Sequence, residues 1–330
     1  MRKKVLMVQG LHPEGVKLLA ARSDVEPVAL MSDNEGQIAA AARDADAITV
    51  RSARITRGII EAAPKLRIVA RHGVGYDAVD VAALSARGIP LAISIHANMV
   101  PVAEHVMFML LVLFKEAAHY DALARGADWG SRWNVKANDL AGKDLLIVGF
   151  GRTGSRVAKR ALAFDMRVHA CDPYIDQDLI RRAGCLPVAD VRAALPRMDA
   201  VSVNCPLSAE TRHMFSRAEF GVMKPGAVIV NCARGGIVDE AALYEALTEG
   251  KLRGAGLDVF ESEPSPADNP LFRLDNLIAS PHIAGVTVES TIRMSIQTAQ
   301  NVLDCFDGKL DPAVVVNMDA LKKRGQSPIS

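Results

Sequence analysis

Leu145-Leu-Ile-Val-Gly149-Phe-Gly151-Arg-Thr-Gly154-Ser-Arg-Val-Ala158 joins a short apolar run to an amphipathic segment through three glycines. The run predicts a buried strand, and the segment after it predicts a helix. Between them, the first glycine permits a tight turn, the second lets the backbone approach a phosphate, and the third lets helix and strand pack closely. The stretch therefore predicts a strand–turn–helix unit with a phosphate at the helix N-terminus.

The next predicted strand, which begins at Arg167, ends in Asp172, about 20 residues beyond the glycine turn, as a dinucleotide-binding unit requires. Asp172 should accept hydrogen bonds from the ribose hydroxyls and repel a 2′-phosphate. Pro173 and Tyr174 follow it, where an NADP-selective site usually has a cation. These residues predict that NAD is the cofactor and is preferred to NADP. The predicted phosphate-binding residues of the turn are Gly149, Gly151, Arg152, Thr153 and Gly154.

Apolar runs alternate with amphipathic segments on both sides of the glycine turn. Six strand-like runs between residues 145 and 280 are enough for a complete dinucleotide-binding sheet. An earlier series predicts parallel β–α–β units, with strands at residues 5–8, 47–50 and 66–70 and helices at residues 13–21 and 58–63. A long helix is predicted over residues 101–125, with Pro101 in its first turn.

The fold class that follows is α/β, with two Rossmann-like domains that each contain a parallel sheet. Residues 100–287 are predicted to form a doubly wound NAD-binding domain. Residues 1–99 and 288–330 are predicted to form a flavodoxin-like, discontinuous substrate-binding domain, because a helix over residues 288–306 should return to pack on the first segment. The two crossings between the domains could act as a hinge. Residues 321–330 look frayed.

The composition excludes several classes of protein. The 330 residues carry 39 basic and 38 acidic side chains, a net charge of +1, with no run of like charges that would favour nucleic acid or a membrane surface. The longest apolar run, residues 106–114, is about half of what a membrane span needs. The five cysteines include no Cys-x-x-Cys pair and no histidine at metal-ligand spacing, which predicts reduced thiols, no metal site and a cytoplasmic location.

Three polar residues lie just past predicted strands: Arg234, Glu263 and His282. Ligands of open parallel sheets bind outside the carboxyl ends of the strands, so we expect the three to converge near the nicotinamide. Histidine can move a hydroxyl proton, arginine can hold a carboxylate with two donors, and a glutamate beside the imidazole would fix its tautomer and favour its protonated form. The alternative is a surface arginine, a loop carboxylate and a capped core histidine.

Together these segments resemble the signatures of the NAD-dependent D-2-hydroxyacid dehydrogenase family over nearly the whole chain. The segments that carry the resemblance are the glycine turn with Asp172, Asn231-Cys-Ala-Arg-Gly-Gly-Ile-Val-Asp-Glu240, Leu257-Asp-Val-Phe-Glu-Ser-Glu-Pro264 and Ser280-Pro-His-Ile-Ala-Gly285. The resemblance implies that Arg234, Glu263 and His282 are the catalytic residues, that a small molecule is the substrate, and that the helix near residues 101–125 forms a homodimer.

The resemblance also implies further contacts. Asp258 would hold the nicotinamide carboxamide, and Cys205, Pro206 and Thr211 would border the adenosine. The remaining cofactor-binding residues that it implies are Cys232, Ala233, His282 and Gly285. The backbone amides of Val74 and Gly75 would hold the substrate carboxylate, together with Arg234. Asn98 either contacts substrate or is a turn residue.

The sequence constrains the identity of the substrate less than it constrains the reaction class. Arg51 and Arg71 follow two predicted strands of the small domain and are similar to the arginines that 3-phosphoglycerate dehydrogenases present to a phosphate; the alternative is two solvated arginines. We expect 3-phosphoglycerate or another doubly anionic acid first, and glyoxylate or hydroxypyruvate reduction second. Glu263 stands where formate-oxidising relatives carry glutamine, which favours a hydroxyl-to-carbonyl reaction.

Two expectations concern regulation and a non-catalytic alternative. The serine-sensing regulatory domain of many phosphoglycerate dehydrogenases has no counterpart in the 330 residues, so feedback by that route is not expected. NAD-sensing co-repressors resemble the same family and keep an arginine, a glutamate and a histidine. They would bind NADH but reduce 2-oxo acids negligibly.

Overall fold

The computed structural model describes residues 2–323, and its elements alternate between strand and helix along most of that length. The first 98 residues contain β1 (Lys3–Val8), α1 (Pro13–Ala20), β2 (Val25–Leu30), α2 (Glu35–Ala42), β3 (Ala47–Val50), α3 (Arg57–Ala62), β4 (Ile68–Arg71), α4 (Val81–Ala86) and β5 (Leu91–Ile93). The middle of the chain contains α5 (Met99–Lys115), α6 (Ala117–Arg125), β6 (Asp144–Val148), α7 (Gly154–Ala163), β7 (Arg167–Cys171), α8 (Gln177–Arg182), β8 (Leu186–Pro187), α9 (Val191–Ala194), β9 (Ala200–Val203), α10 (Arg217–Val222), β10 (Ala227–Asn231), α11 (Glu240–Thr248), β11 (Leu252–Leu257) and β12 (Leu277–Ala279). The last part contains α12 (Val288–Phe306) and α13 (Met318–Lys323).

The chain folds into two compact units. The first unit combines the chain up to Asn98 with the chain from Val286 onward, and the second unit is Met99–Gly285.

The sheet of the first unit is parallel, with strand order β2-β1-β3-β4-β5, the flavodoxin-like order. Alternate residues of β1 enter different cores: Val5 and Met7 pack with α1 and α12, whereas Leu6 and Val8 pack with α2, α3 and α4. Because helices cover both faces, β1 is apolar and buried at four successive positions, Val5 to Val8. Each fully buried aliphatic side chain contributes about 1.5–3 kcal/mol.

The sheet of the second unit is parallel, in the order β12-β11-β10-β9-β6-β7-β8. Leu145 and Ile147 of β6 pack towards α5 and α7, and Leu146 and Val148 pack on the opposite face with Phe215 and Phe220. The strand order reverses between β6 and β9, which is where ligands of doubly wound sheets bind. The predicted α/β class with two parallel sheets is confirmed.

Several local predictions were wrong. The helix predicted over residues 101–125 is two helices, because Glu116 adopts a left-handed φ of 51° and ends α5; two nitrogens of Arg253 hold its carboxylate at 3.0 and 2.8 Å. The strand β2 was missed because Pro27 interrupts its pattern, which an edge strand tolerates. The helix α2 was not predicted, because its four consecutive alanines give no contrast between an apolar and a polar face. The strand β8 was not predicted, because it has only two residues.

Residues 321–330 were expected to be frayed, yet Leu321 is buried within α13. The rest of that prediction falls mostly on residues 324–330, which lie outside the described residues.

Candidate active site

The glycine turn has the shape that a pyrophosphate needs. Gly149 has a φ of 93°, and a Cβ there would lie 2.7 Å from the backbone of Asn204. A Cβ on Gly154 would collide with the carbonyl oxygen of Gly149, so strand and helix pack too closely for a side chain. At Gly151 a Cβ would meet nothing within 4 Å, so this Cα faces open space at the start of α7. The turn therefore fits a dinucleotide phosphate.

Asp172 lies immediately past β7, beside this turn. One carboxylate oxygen accepts a hydrogen bond from the Phe150 amide at 2.8 Å, and the other accepts one from the Tyr174 amide at 2.9 Å. The side chain is only partly buried. Each carboxylate oxygen has two lone-pair sites, so Asp172 keeps acceptor capacity for ribose hydroxyls.

Hydrogen bonds within the loop after β9 fix its shape. The Thr211 hydroxyl donates to the Pro206 carbonyl at 2.7 Å and accepts from the Ser208 amide at 2.8 Å. Burial raises the pKa of the Cys205 thiol to about 11, so it is protonated at neutral pH. The predicted adenosine-bordering residues Cys205, Pro206 and Thr211 thus share one compact loop.

Asn231, at the end of β10, shapes the loop that carries Arg234. The buried Asn231 amide accepts from the Ala233 amide at 3.0 Å and donates to the Arg234 carbonyl at 2.9 Å. A Cβ on Gly235 would collide with the carbonyl of Phe260, so this loop lies directly against the segment that carries Glu263. Asn231 was not among the predicted site residues, although its position at a strand end was a usable signal.

His282 and Glu263 form a hydrogen-bonded pair. His282 Nδ1 lies 2.7 Å from Glu263 Oε2, and the other oxygen of Glu263 accepts from the Phe260 amide at 3.0 Å. Burial raises the pKa of Glu263, but the hydrogen bonds from His282 and Phe260 and the charge of Arg234 outweigh it and leave the pKa below its usual value. The imidazole of His282 and the charge of Arg234 therefore both act on the carboxylate of Glu263.

The backbone at His282 is unusual. Its φ is 55°, in the left-handed region that histidine rarely occupies, and its side chain is half exposed. Strained backbone of this kind persists where surrounding structure enforces it, and it concentrates at functional sites.

Asp258, at the end of β11, enforces that backbone. Its fully buried carboxylate accepts from the amides of Ile283 and Ala284, each at 2.8 Å, and from the Ser280 hydroxyl at 2.5 Å. Its backbone carbonyl accepts from the His282 amide at 2.8 Å. The carboxylate of Asp258 thus already accepts three hydrogen bonds from residues 280–284. Its contact with a nicotinamide carboxamide stays a prediction. Ser280 was not among the predicted site residues.

The predicted substrate-binding residues Arg51, Arg71, Val74, Gly75 and Asn98 belong to the first unit. There, burial and then the charges of Arg51 and Arg71 lower the pKa of His72 to about 4, so both arginines lie near one buried, neutral imidazole. Gln9 holds the segment after β3, because its side-chain oxygen accepts from the amides of Ser52 at 2.8 Å and Ala53 at 2.9 Å. His72 and Gln9 were not anticipated.

Comparison with known proteins identifies the second unit. Residues 107–284 match the model of the NAD-binding domain of D-isomer specific 2-hydroxyacid dehydrogenases. The D-3-phosphoglycerate dehydrogenase of Methanocaldococcus jannaschii is 39% identical over 94% of this chain, which spans 59% of that protein. The hydroxypyruvate reductase of Thermotoga maritima is 36% identical over 91% of this chain and 97% of its own length.

A solved structure extends the likeness to both units. The D-lactate dehydrogenase of Aquifex aeolicus, complexed with NAD and lactic acid, has a TM-score of 0.85 and 29% identity over 94% of this chain and 98% of that chain. The protein is therefore an α/β protein with an NAD-binding domain. It belongs to the D-isomer specific 2-hydroxyacid dehydrogenase family.

Proposed function

We propose that the protein is an NAD-dependent oxidoreductase that interconverts a D-2-hydroxy acid and its 2-oxo acid. The observation that carries the proposal is the 2.7 Å pair of His282 and Glu263. It lies past the carboxyl ends of the strands of the NAD-binding domain, where a doubly wound sheet binds its ligands. When bound, NADH supplies the hydride.

In this proposal His282 supplies the proton. Its Nδ1 faces Glu263, so Nε2 is the nitrogen that would donate to the carbonyl oxygen during reduction and accept the hydroxyl proton during oxidation. Glu263 stabilises the imidazolium form. Arg234 would hold the substrate carboxylate through two guanidinium donors and polarise the carbonyl.

We propose a set of residues that contact the cofactor. They comprise the turn residues Gly149, Gly151, Arg152, Thr153 and Gly154, the ribose ligand Asp172, the loop residues Cys205, Pro206 and Thr211, and Cys232, Ala233, Asp258, His282 and Gly285. The preference for NAD over NADP rests on Asp172 in the same way.

For the substrate we propose 3-phosphohydroxypyruvate and 3-phosphoglycerate first. Two arginines, Arg51 and Arg71, near one buried histidine give the first unit the positive charge that a second anionic group would need. Val74, Gly75 and Asn98 remain the proposed contacts for the rest of the substrate. Hydroxypyruvate or glyoxylate is the second candidate, supported by the 36% identical hydroxypyruvate reductase.

A spectrophotometric NADH assay over phosphohydroxypyruvate, hydroxypyruvate, glyoxylate and oxaloacetate tests the proposal. We expect turnover of at least one acid, with phosphohydroxypyruvate giving the highest kcat/KM. If phosphohydroxypyruvate is no better than hydroxypyruvate, the second anionic site is wrong. NADH binding without turnover of any acid would instead favour the co-repressor-like alternative.

We also propose a homodimer formed through α5, α6 and the segment that follows. None of the residues of α6 is fully buried, and both tryptophans of the chain, Trp129 and Trp133, are 65% and 75% exposed. Such a concentration of exposed apolar surface marks a protein interface. Sedimentation velocity should show a dimer, and dilution should shift the tryptophan emission to longer wavelength; a monomer at micromolar concentration would contradict this.

The location is proposed to be cytoplasmic, on the strength of five free cysteines. No helix in residues 2–323 has the length and apolar character needed to cross a membrane.

A further inference from the structure

We propose that His105 is a positioning residue for His282 and that it acts through Ser280 and Asp258. The inference rests on the proposed function, since it concerns the residue assigned there as the proton carrier. His105 lies on α5, far from His282 in the chain and on an element that supplies none of the catalytic side chains.

The contacts form a continuous chain. His105 Nε2 lies 2.9 Å from the Ser280 hydroxyl oxygen, and that hydroxyl donates to Asp258 Oδ1 at 2.5 Å. The same Asp258 oxygen is 4.0 Å from His105 Nε2. The His105 side chain is 18% exposed and the Asp258 side chain 1%, so water competes little for these bonds.

The direction of each hydrogen bond follows from proton counting. A carboxylate only accepts, so the single hydroxyl hydrogen of Ser280 is given to Asp258. The Ser280 oxygen can then only accept from the imidazole, which requires a proton on His105 Nε2. His105 therefore orients the Ser280 hydroxyl, and both a neutral Nε2–H tautomer and the imidazolium satisfy the requirement.

Asp258 transmits this orientation to His282. Residues 280–284 are attached to Asp258 at four points: the Ser280 hydroxyl, the His282 amide, and the amides of Ile283 and Ala284. His282 lies in the middle of these attachments with its left-handed φ of 55°. Releasing one attachment lets that strained backbone relax, and the imidazole then moves relative to Glu263 and to substrate.

The contact with Glu263 is a second support for the His282 side chain, separate from the hydrogen bonds to Asp258. Glu263 contacts the His282 ring at Nδ1, and its own second oxygen is held by the Phe260 amide. The imidazole is thus held at the ring by Glu263 and at the backbone by Asp258. Only the second of these supports depends on α5.

The test compares paired substitutions in the full chain. His105→Ala and Ser280→Ala should lower kcat by roughly 10- to 100-fold, the scale expected for a misplacement of about 1 Å at a catalytic group. KM and the NADH dissociation constant should change by less than about threefold, because neither residue is assigned to ligand binding. His105→Gln and Ser280→Thr, which keep an N–H and a hydroxyl, should restore kcat to within about threefold of wild type.

A second measurement does not depend on turnover. The hydrogen-bonded Nδ1 proton of His282 should give a downfield ¹H resonance that is lost in Glu263→Gln, and that is broadened or displaced in Ser280→Ala but retained in Ser280→Thr. Thr248→Ala, which removes an exposed hydroxyl at the end of α11, is the control for a general effect of hydroxyl removal.

The outcomes separate the two proposals. A wild-type protein that turns over no 2-oxo acid contradicts the proposed function, and the Nδ1 resonance still decides whether Ser280 positions His282. A wild-type enzyme that is active while Ser280→Ala keeps both its kcat and the unperturbed resonance overturns the positioning role of His105. Equal losses in Ser280→Ala and Ser280→Thr would also overturn it, because the hydroxyl would then not be the operative group.

Discussion

Among the histidines of the NAD-binding domain that lie against a carboxylate, His282 is 2.7 Å from Glu263 and His169 is 2.9 Å from Asp144. His169 lies inside β7 with a side chain 12% exposed, and Arg167 also bonds Asp144. His282 lies beyond the end of β12, half exposed and with a left-handed backbone. A histidine–carboxylate pair is therefore not by itself a sign of catalysis. The position of His282 past a strand end and its exposure are what favour it for the proposed role.

The largest expected effect is at His282. His282→Ala should lower kcat by about 10²-fold or more, because the proposed general acid and base is lost. His169→Gln is the matched control, since it alters the other pair and keeps an N–H donor for Asp144. We expect its kcat to stay within about twofold of wild type and its melting temperature to fall by a few degrees at most. Steady-state kinetics and thermal melts on both variants test this, and a wild-type kcat in His282→Ala would remove the histidine from the mechanism.

Asp172 directly follows the strand that contains His169, and we expect it to bind the cofactor and to take no part in proton transfer. Asp172→Ser removes the carboxylate that is held by the Phe150 and Tyr174 amides. The NAD/NADP ratio of kcat/KM should fall by about tenfold or more, since the repulsion of a 2′-phosphate disappears. Kinetics with both cofactors give the ratio. An unchanged ratio would show that another residue sets the preference.

Glu263→Gln tests the proposed catalytic pair without removing the imidazole. The carboxylate has a pKa below its usual value and so is charged where imidazole titrates. A negative charge 2.7 Å from Nδ1 stabilises a protonated ring, and the substitution removes that charge. In 2-oxo acid reduction, which needs that proton, the fall of kcat/KM with rising pH should therefore move down by about one pH unit. Asp144→Asn should leave this profile in place; a profile that does not move in Glu263→Gln would contradict the pairing.

Much of the site could be anticipated because its signals are local in sequence. The glycine turn, and polar residues directly after apolar runs, predicted the phosphate loop and the pairing of Glu263 with His282. Ser280 and His105 could not be found that way: they lie 175 positions apart, and each is ordinary in its own segment. The left-handed break at Glu116 likewise depends on Arg253 of β11. These features depend on contacts between elements that are distant in the sequence, so the local pattern of apolar and polar residues does not predict them.

The smallest expected effect belongs to the structural pair. Hydrogen bonds from Arg167 first and His169 second lower the pKa of Asp144 from 3.8 to about 2, although burial opposes them. A carboxyl with a depressed pKa stabilises the fold above its unfolded pKa, and this contribution is lost as the pH falls towards 2. Asp144→Asn should therefore cost about 1–2 kcal/mol at neutral pH and roughly 2–4 °C in Tm. The difference from wild type should shrink between about pH 4 and pH 2, because there the wild-type carboxyl becomes neutral as well. Thermal melts across this range measure it, and a difference that stays constant down to pH 2 would show that Asp144 stabilises the sheet by shape and not by charge.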